Sequence, residues 1–420
     1  VSARGLRPRR GEIERAFRTG RFATRAEALA RREFLLSLAR LAAGSVALGA
    51  LPAWARSALA AAGSGVAASP AEIIIRNDWP EHWETAVGVL GNAWLTPNDR
   101  FFVRSHFPVP TIDPGTWRLE VTGLVRQPFS LTLDEVGGLP KVDAVHVLEC
   151  AGNGRGLMKL PNTSGTQWGR GAVGNARWRG VLLSDLLRRA EPGVDARHVW
   201  FEAADEAPLP GVPRFARSIP IEKAMQDVLL ADRMNGEPLP MLHGAPLRAI
   251  VPGWYGMAST KWVTRVRLEA EPSDNQFMAK GYRYVAPGGD PLTSPPVEEL
   301  RVKSVITRPL DGTRVQLPQA KPPKKLQVRG AAWAGPAGLR LVEISSDGGQ
   351  SWRPAGFMGE NEPMSWRLWA TEIDVKPPAR VTILARATDQ LGNVQPVEAE
   401  INAGGYGNNA IHKVTVDVRP

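Results

Sequence analysis

Residues 285–300, VAPGGDPLTSPPVEEL, break the chain into two parts, because proline and glycine dominate there and hydrophobic periodicity lapses. Both flanks are built from short β-rich runs. Upstream, WRLEVTGLVRQPFSLTLDEVGGLPKVDAVHVLECAGN, from Trp117 onward, alternates such runs with Gly and Pro. A helix is expected in WRGVLLSDLLRRAEPG, where Leu183, Leu186, Leu187 and Ala190 share one face and Pro192 ends it. Downstream, LQVRGAAW, LRLVEISSDGGQSWRPA, VTILARATDQLGN and HKVTVDV have period-2 alternation, with a turn at Asp347-Gly348-Gly349. The pattern predicts an α+β first domain over 61–285, a linker over 286–299 and an immunoglobulin-like β-sandwich over 300–420.

Charge separates a leader from the rest. The chain has 52 basic and 42 acidic residues, but residues 1–60 hold 12 Arg, no Lys and four acids, leaving 40 basic against 38 acidic. This near balance argues against nucleic-acid binding by the folded part. The leader carries Arg31 and Arg32, then Phe34 and Leu35, an apolar run from Leu41 to Leu51, and small residues around Ala58 and Ala60. That order resembles a twin-arginine export signal, whose removal would leave a periplasmic protein starting near Ala61. The other reading, an uncleaved anchor, needs a longer apolar core, since about 20 residues span a bilayer.

Cys150 is the chain's single cysteine. It excludes an internal disulfide, covalent haem through Cys-x-x-Cys-His, an iron–sulfur cluster and a zinc ribbon. Cys150 closes a strand and precedes Ala151-Gly152-Asn153-Gly154, a turn that lets backbone approach a ligand. Two readings stand: a small buried hydrophobe, or a thiolate for a soft metal. FFVRSHFPVP places Arg104 and His106 two apart on an extended stretch, and LHGAPLRAIVPGWYGMASTKW supplies His243, Arg248, Ser259, Thr260 and Lys261. Cations in such apolar flanks suit a buried phosphate or oxyanion.

FFVRSHFPVP, VLECAGNGR, WGRGAVGNARW, SIPIEKAMQDVLLADRMNGEPLP, HGAPLRAIVPGWYGMASTKW, ISSDGGQSW and DQLGNVQP, in that order over residues 75–420, resemble the sulfite oxidase family of molybdenum enzymes. The resemblance implies a molybdopterin domain followed by an immunoglobulin-like dimerisation domain, with no haem in this chain. It makes Cys150 the thiolate on molybdenum, His106 a pterin contact and Arg104 a contact to the substrate oxyanion. His243, Arg248, Ser259, Thr260 and Lys261 would hold the cofactor, while Arg155 and Trp168 would line the substrate pocket. Two departures from the family pattern are expected. Asp232 in LLADRMNG stands for the pocket tyrosine, and Gly404 in INAGGYGNNAIHK stands for a substrate arginine. The implied activity is oxygen-atom transfer, oxidising sulfite to sulfate and passing electrons to an external cytochrome c or haem subunit. Rival readings are a reductase of an oxyanion or S-oxide, a dehydrogenase of another sulfur compound, and a non-catalytic secreted binding module. The resemblance further implies a twofold homodimer through the C-terminal domain. Light scattering on the purified chain is expected to give twice the monomer mass, and a monomer would contradict that assembly.

Overall fold

The computed structural model describes residues 72–419 apart from 159, 161–162, 208–211 and 318–323. The export signal expected in residues 1–60 and the start near Ala61 lie outside the described residues.

Upstream of the proline-rich break, alternation produces three sheets. A small antiparallel sheet joins Ile73–Asn77, His82–Thr85 and Val103–Arg104. The second orders Glu237–Pro238, Leu229–Met234, Val173–Leu182 and Val142–Glu149 side by side, and Arg248–Ile250 also pairs with Leu229–Met234. The third orders Phe129–Thr132, Arg118–Gly123, Val263–Glu269, His198–Ala203 and Ala216–Pro220, with one parallel pairing, between Arg118–Gly123 and Val263–Glu269. The expected helix spans Leu183–Ala190 and buries Leu183, Leu186, Leu187 and Ala190. It ends at Glu191, whose left-handed φ of 53° breaks the helix one residue before Pro192. Its apolar face joins the core around Leu119, Val121, Phe201, Val266 and Leu268.

Downstream, two antiparallel-rich sheets stack. One runs Lys303–Arg308, Lys324–Trp333, Arg367–Val375 and Gly356–Met358; the other runs Arg314–Gln316, His412–Arg419, Ala379–Asp389, Leu339–Ser345 and Arg353–Pro354. Val328, Ile373, Val342, Ile383, Val414 and Val416 fill the space between them, which is the expected sandwich. The four downstream runs read from the sequence all become strands. Gly348 and Gly349 take the positive φ that their turn needs.

Residues 286–299, expected as a linker, are tied down rather than free. Tyr284 N donates to Pro295 O, Val297 N donates to Tyr282 O, and Val297 is fully buried. The stretch lacks periodicity because its packing comes from isolated bridges, Arg283 with Pro296 and Trp254 with Glu299. A shared core of Leu90, Val147, Ala151, Val173, Tyr255 and Tyr282 with Val305, Ala331, Trp333 and Trp366 then joins the two parts.

One polar centre sits in that junction. The Glu149 carboxylate accepts from Lys303 Nζ at 2.7 Å, Trp333 Nε1 at 2.8 Å and Asn153 Nδ2 at 2.9 Å, with Glu149 and Lys303 both buried. Removing one partner of a buried ion pair leaves the other charge uncompensated. Lys303→Met is therefore expected to destabilise the protein by about 3 kcal/mol, and Glu149→Gln with Lys303→Met to recover most of that loss. Denaturation midpoints of the parent and the variants check this.

Candidate active site

The strand Val142–Glu149 delivers Cys150 to the edge of a cavity. Cys150 N donates to Ala172 O, and Cys150 O accepts from Asn153 N, which closes the turn. At Gly152 a Cβ would lie 2.8 Å from Arg155 Nη2, so a side chain there would displace the guanidinium. Gly256 N donates to Glu149 O at 2.7 Å, which docks the segment from Gly256 to Lys261 beside the same strand end.

The cavity wall contains Arg104, His106, Cys150, His243, Arg248, Ser259, Thr260 and Lys261 together. Sequence positions more than 150 residues apart thus converge on one site. Seven of them are the residues for which the sequence implied cofactor contacts, and Arg104 is the one implied for the substrate.

Its electrostatics are those of a receptor for anions. Arg248 donates to His243 O at 2.8 Å and to Ser259 O at 3.1 Å, and lies over the Trp178 ring. Burial lowers its pKa to about 9, which leaves it charged at neutral pH. Lys261 donates to Ser105 Oγ and Leu242 O; burial, and then Arg248, hold its pKa well below the usual lysine value. Burial takes His243 down to about 3, so the ring is neutral and its Nε2–H donates to Asn98 O at 3.0 Å. His106 is also held neutral by burial and by Arg104. Its Nε2 is 2.8 Å from the Tyr282 hydroxyl, and its ring stacks on Phe215.

Four buried polar atoms of this wall have no partner among the described residues: Arg104 Nη1, Asp205 Oδ1, Arg248 Nε and Thr260 Oγ1. Donors left unsatisfied cost free energy, so their convergence marks the place of a bound polar group. Two guanidinium groups and a hydroxyl with free donors, beside Lys261, suit a phosphate, and a thiol on the same wall suits a soft metal. The residues present fit a phosphate-bearing metal cofactor.

Three expected site residues lie elsewhere. Asp232 is on the strand Leu229–Met234 and pairs with Lys141, away from the cavity. The tyrosine that lines this cavity is Tyr282, and Asp232, expected in place of a pocket tyrosine, is not among the lining residues. Asp232 sits at the β-bulge between Ala231 and Arg233, where one carboxylate oxygen takes Lys141 as its partner. Trp168 is fully buried among Phe101, Phe102 and Leu148 and does not line the cavity. Arg155 is buried behind the turn, donating to Gly404 O and Thr166 O.

Sequence reading passed over Asp205 and Tyr282. Asp205 follows the strand His198–Ala203 and stands next to Glu206, with no motif around it. Tyr282 has a φ of 54°, costly for a bulky residue, and such strain concentrates at functional sites; nothing in the letters KGYRY signals it. Burial raises the pKa of Asp205 to about 6. A raised carboxyl pKa makes ionisation costly to the folded state, so the penalty is absent below about pH 4 and complete above about pH 6. Cofactor-free Asp205→Asn is expected to match its parent in stability near pH 4 and to exceed it by up to about 3 kcal/mol near pH 8. Thermal midpoints across this range check the sign.

Residues 106–277 match the family described as oxidoreductase molybdopterin binding domain, and residues 294–419 match the Mo-co oxidoreductase dimerisation domain. Mitochondrial sulfite oxidase of Rattus norvegicus is 36% identical over 366 residues, covering 82% of this chain. This chain spans 66% of the length of that relative. Sulfite oxidase of Arabidopsis thaliana is 33% identical over 366 residues, covering 80% of this chain and 91% of the relative. Among solved structures, the sulfane dehydrogenase SoxCD from Paracoccus pantotrophus superposes with a TM-score of 0.71 at 27% identity, covering 89% of this chain and 93% of that one.

Proposed function

Because the chain belongs to the sulfite oxidase family of molybdopterin oxidoreductases, we propose that it oxidises a small sulfur anion by oxygen-atom transfer. The observation that carries this reading is the meeting of the Cys150 thiol with unpartnered Arg104, Arg248 and Thr260 atoms in one buried cavity. When bound, the molybdenum cofactor supplies the two-electron redox centre and the oxygen transfer.

The chain's own residues hold and bias that chemistry. Cys150 offers sulfur to the metal, and its turn is fixed by Ala172 O and by the buried Glu149 beside it. Arg248, Thr260 and Lys261 hold the cofactor phosphate, while neutral His243 offers an acceptor nitrogen without adding charge. Arg104 faces the cavity with a free guanidinium nitrogen and holds the substrate anion. His106 and Tyr282 share a proton between Nε2 and the hydroxyl, which places a polar pair beside the reacting anion in an otherwise aromatic wall.

With sulfite as substrate, sulfite and water give sulfate, two protons and two electrons. The electrons leave one at a time to an external haem protein such as a cytochrome c. The protein works in the periplasm, a reading supported by the Arg31-Arg32 leader, and as a homodimer through its dimerisation domain. A second reading keeps the cofactor and exchanges sulfite for another reduced sulfur compound. It is favoured by Gly404 and by the withdrawal of Arg155 from the cavity, which together reduce the positive charge available to a dianion.

Molybdenum quantification with a sulfite-dependent cytochrome c reduction assay tests the proposal. The parent is expected to carry molybdenum and to turn over, and Cys150→Ser to lose roughly 100-fold or more in rate while staying folded. Parent protein lacking molybdenum, when produced with molybdate and pterin supply, would overturn the proposal in favour of a binding module.

A further inference from the structure

His82 lies outside the cavity wall, on the strand His82–Thr85 that runs beside Val103–Arg104. The strand Val103–Arg104 is two residues long, with His82 opposite Arg104 and Trp83 opposite Val103. So short a strand leaves its last residue weakly held unless the chain just beyond it is tied down. Ser105 is that next residue, and it is tied from three sides. Its N donates to Glu81 O at 3.2 Å, its carbonyl accepts from His82 Nε2 at 2.9 Å, and its Oγ accepts from Lys261 Nζ at 2.8 Å.

The imidazole can serve in one tautomer. Ser105 O is an acceptor, so Nε2 carries the proton, and a neutral ring then leaves Nδ1 to accept from the Thr166 hydroxyl, 2.7 Å away. Burial, and after it Arg104, lower the His82 pKa to about 4, which keeps the ring neutral at neutral pH. Thr166 is itself held, because its carbonyl accepts from Arg155 Nη1 at 3.1 Å and from Trp168 N at 3.0 Å. A directed chain thus runs from Arg155 through Thr166 and His82 to the carbonyl beside Arg104. Arg104 Nη1 is buried without a partner among the described residues, so the backbone that carries it has to fix that atom's aim into the cavity.

From this we infer that His82 is a positioning residue for the bound anion: by holding Ser105 O in a tautomer that Thr166 enforces, it fixes the backbone from which Arg104 reaches the substrate. This rests on the role of Arg104 proposed above. The two ring nitrogens have separable duties, and side-chain amides separate them. Glutamine places its Nε2 where the imidazole has Nε2 and keeps the bond to Ser105 O. Asparagine reaches the place of Nδ1 and keeps the bond from Thr166 alone.

The test compares His82→Gln, His82→Asn and His82→Ala with the parent. Each molybdenum-loaded protein is assayed with sulfite and titrated with sulfate by calorimetry, and each cofactor-free protein is followed by hydrogen exchange at the Ser105 amide. The glutamine variant is expected to stay within about twofold of the parent throughout. The asparagine and alanine variants are expected to raise KM for sulfite about tenfold and weaken sulfate binding about tenfold, with kcat changed less than about threefold. Ser105 exchange is expected to be about tenfold faster in these two. Asparagine and alanine variants that match the parent in KM and sulfate affinity, at equal molybdenum content, would overturn the role of His82, and so would a glutamine variant that fails with them. A parent that neither oxidises sulfite nor binds sulfate would overturn sulfite as the substrate instead. Exchange at Ser105 would then decide the role of His82, and equal rates in the parent and the alanine variant would overturn it.

Discussion

The Glu149 carboxylate is the interaction on which the arrangement depends. It is one residue from Cys150, and it takes hydrogen bonds from Lys303 and Trp333 of the β-sandwich and from Asn153 of the turn itself. A buried ion pair contributes little net stability compared with apolar packing, but it admits few alternative geometries because each polar atom must keep its partner. The turn that carries the thiol is therefore held by the second domain as much as by its own strand. Asn408 adds a bond to Gly154 O at 2.7 Å, and Gly407 N adds another to Ala151 O. The β-sandwich is thus part of the site, in addition to any role in assembly.

From that fixed turn the electrostatics of the cavity follow. Buried Arg248 and half-buried Arg104 and Lys261 share one cavity wall with Asp205, an arrangement that self-repulsion makes unfavourable until an anion enters. The same burial keeps His106 and His243 neutral, so they serve as hydrogen-bonding groups rather than as further charges. A cavity in this state stores binding free energy for a phosphate-bearing cofactor.

Local signals in the sequence proved legible where one segment decides the outcome. The helix Leu183–Ala190 and the downstream strands follow from periodicity, and the Cys150 turn follows from its glycines. The eight cavity-lining residues were legible because they cluster in three short motifs. What the letters hid depends on contacts between distant segments. Asp232 and Tyr282 are 50 residues apart, and only folding shows which of them faces His106. Arg155 belongs to a recognisable motif, yet its partners are Thr166 and, some 250 residues downstream, Gly404 and Tyr406. The proline-rich stretch 286–299 reads as a linker because its packing comes from single bridges without period.

The central claim is that Cys150 places its sulfur on molybdenum inside this cavity. X-ray absorption at the molybdenum edge, recorded on the loaded parent and on loaded Cys150→Ser, tests it most directly. The account predicts that the variant's metal loses one sulfur neighbour. An identical sulfur shell in both proteins would contradict it.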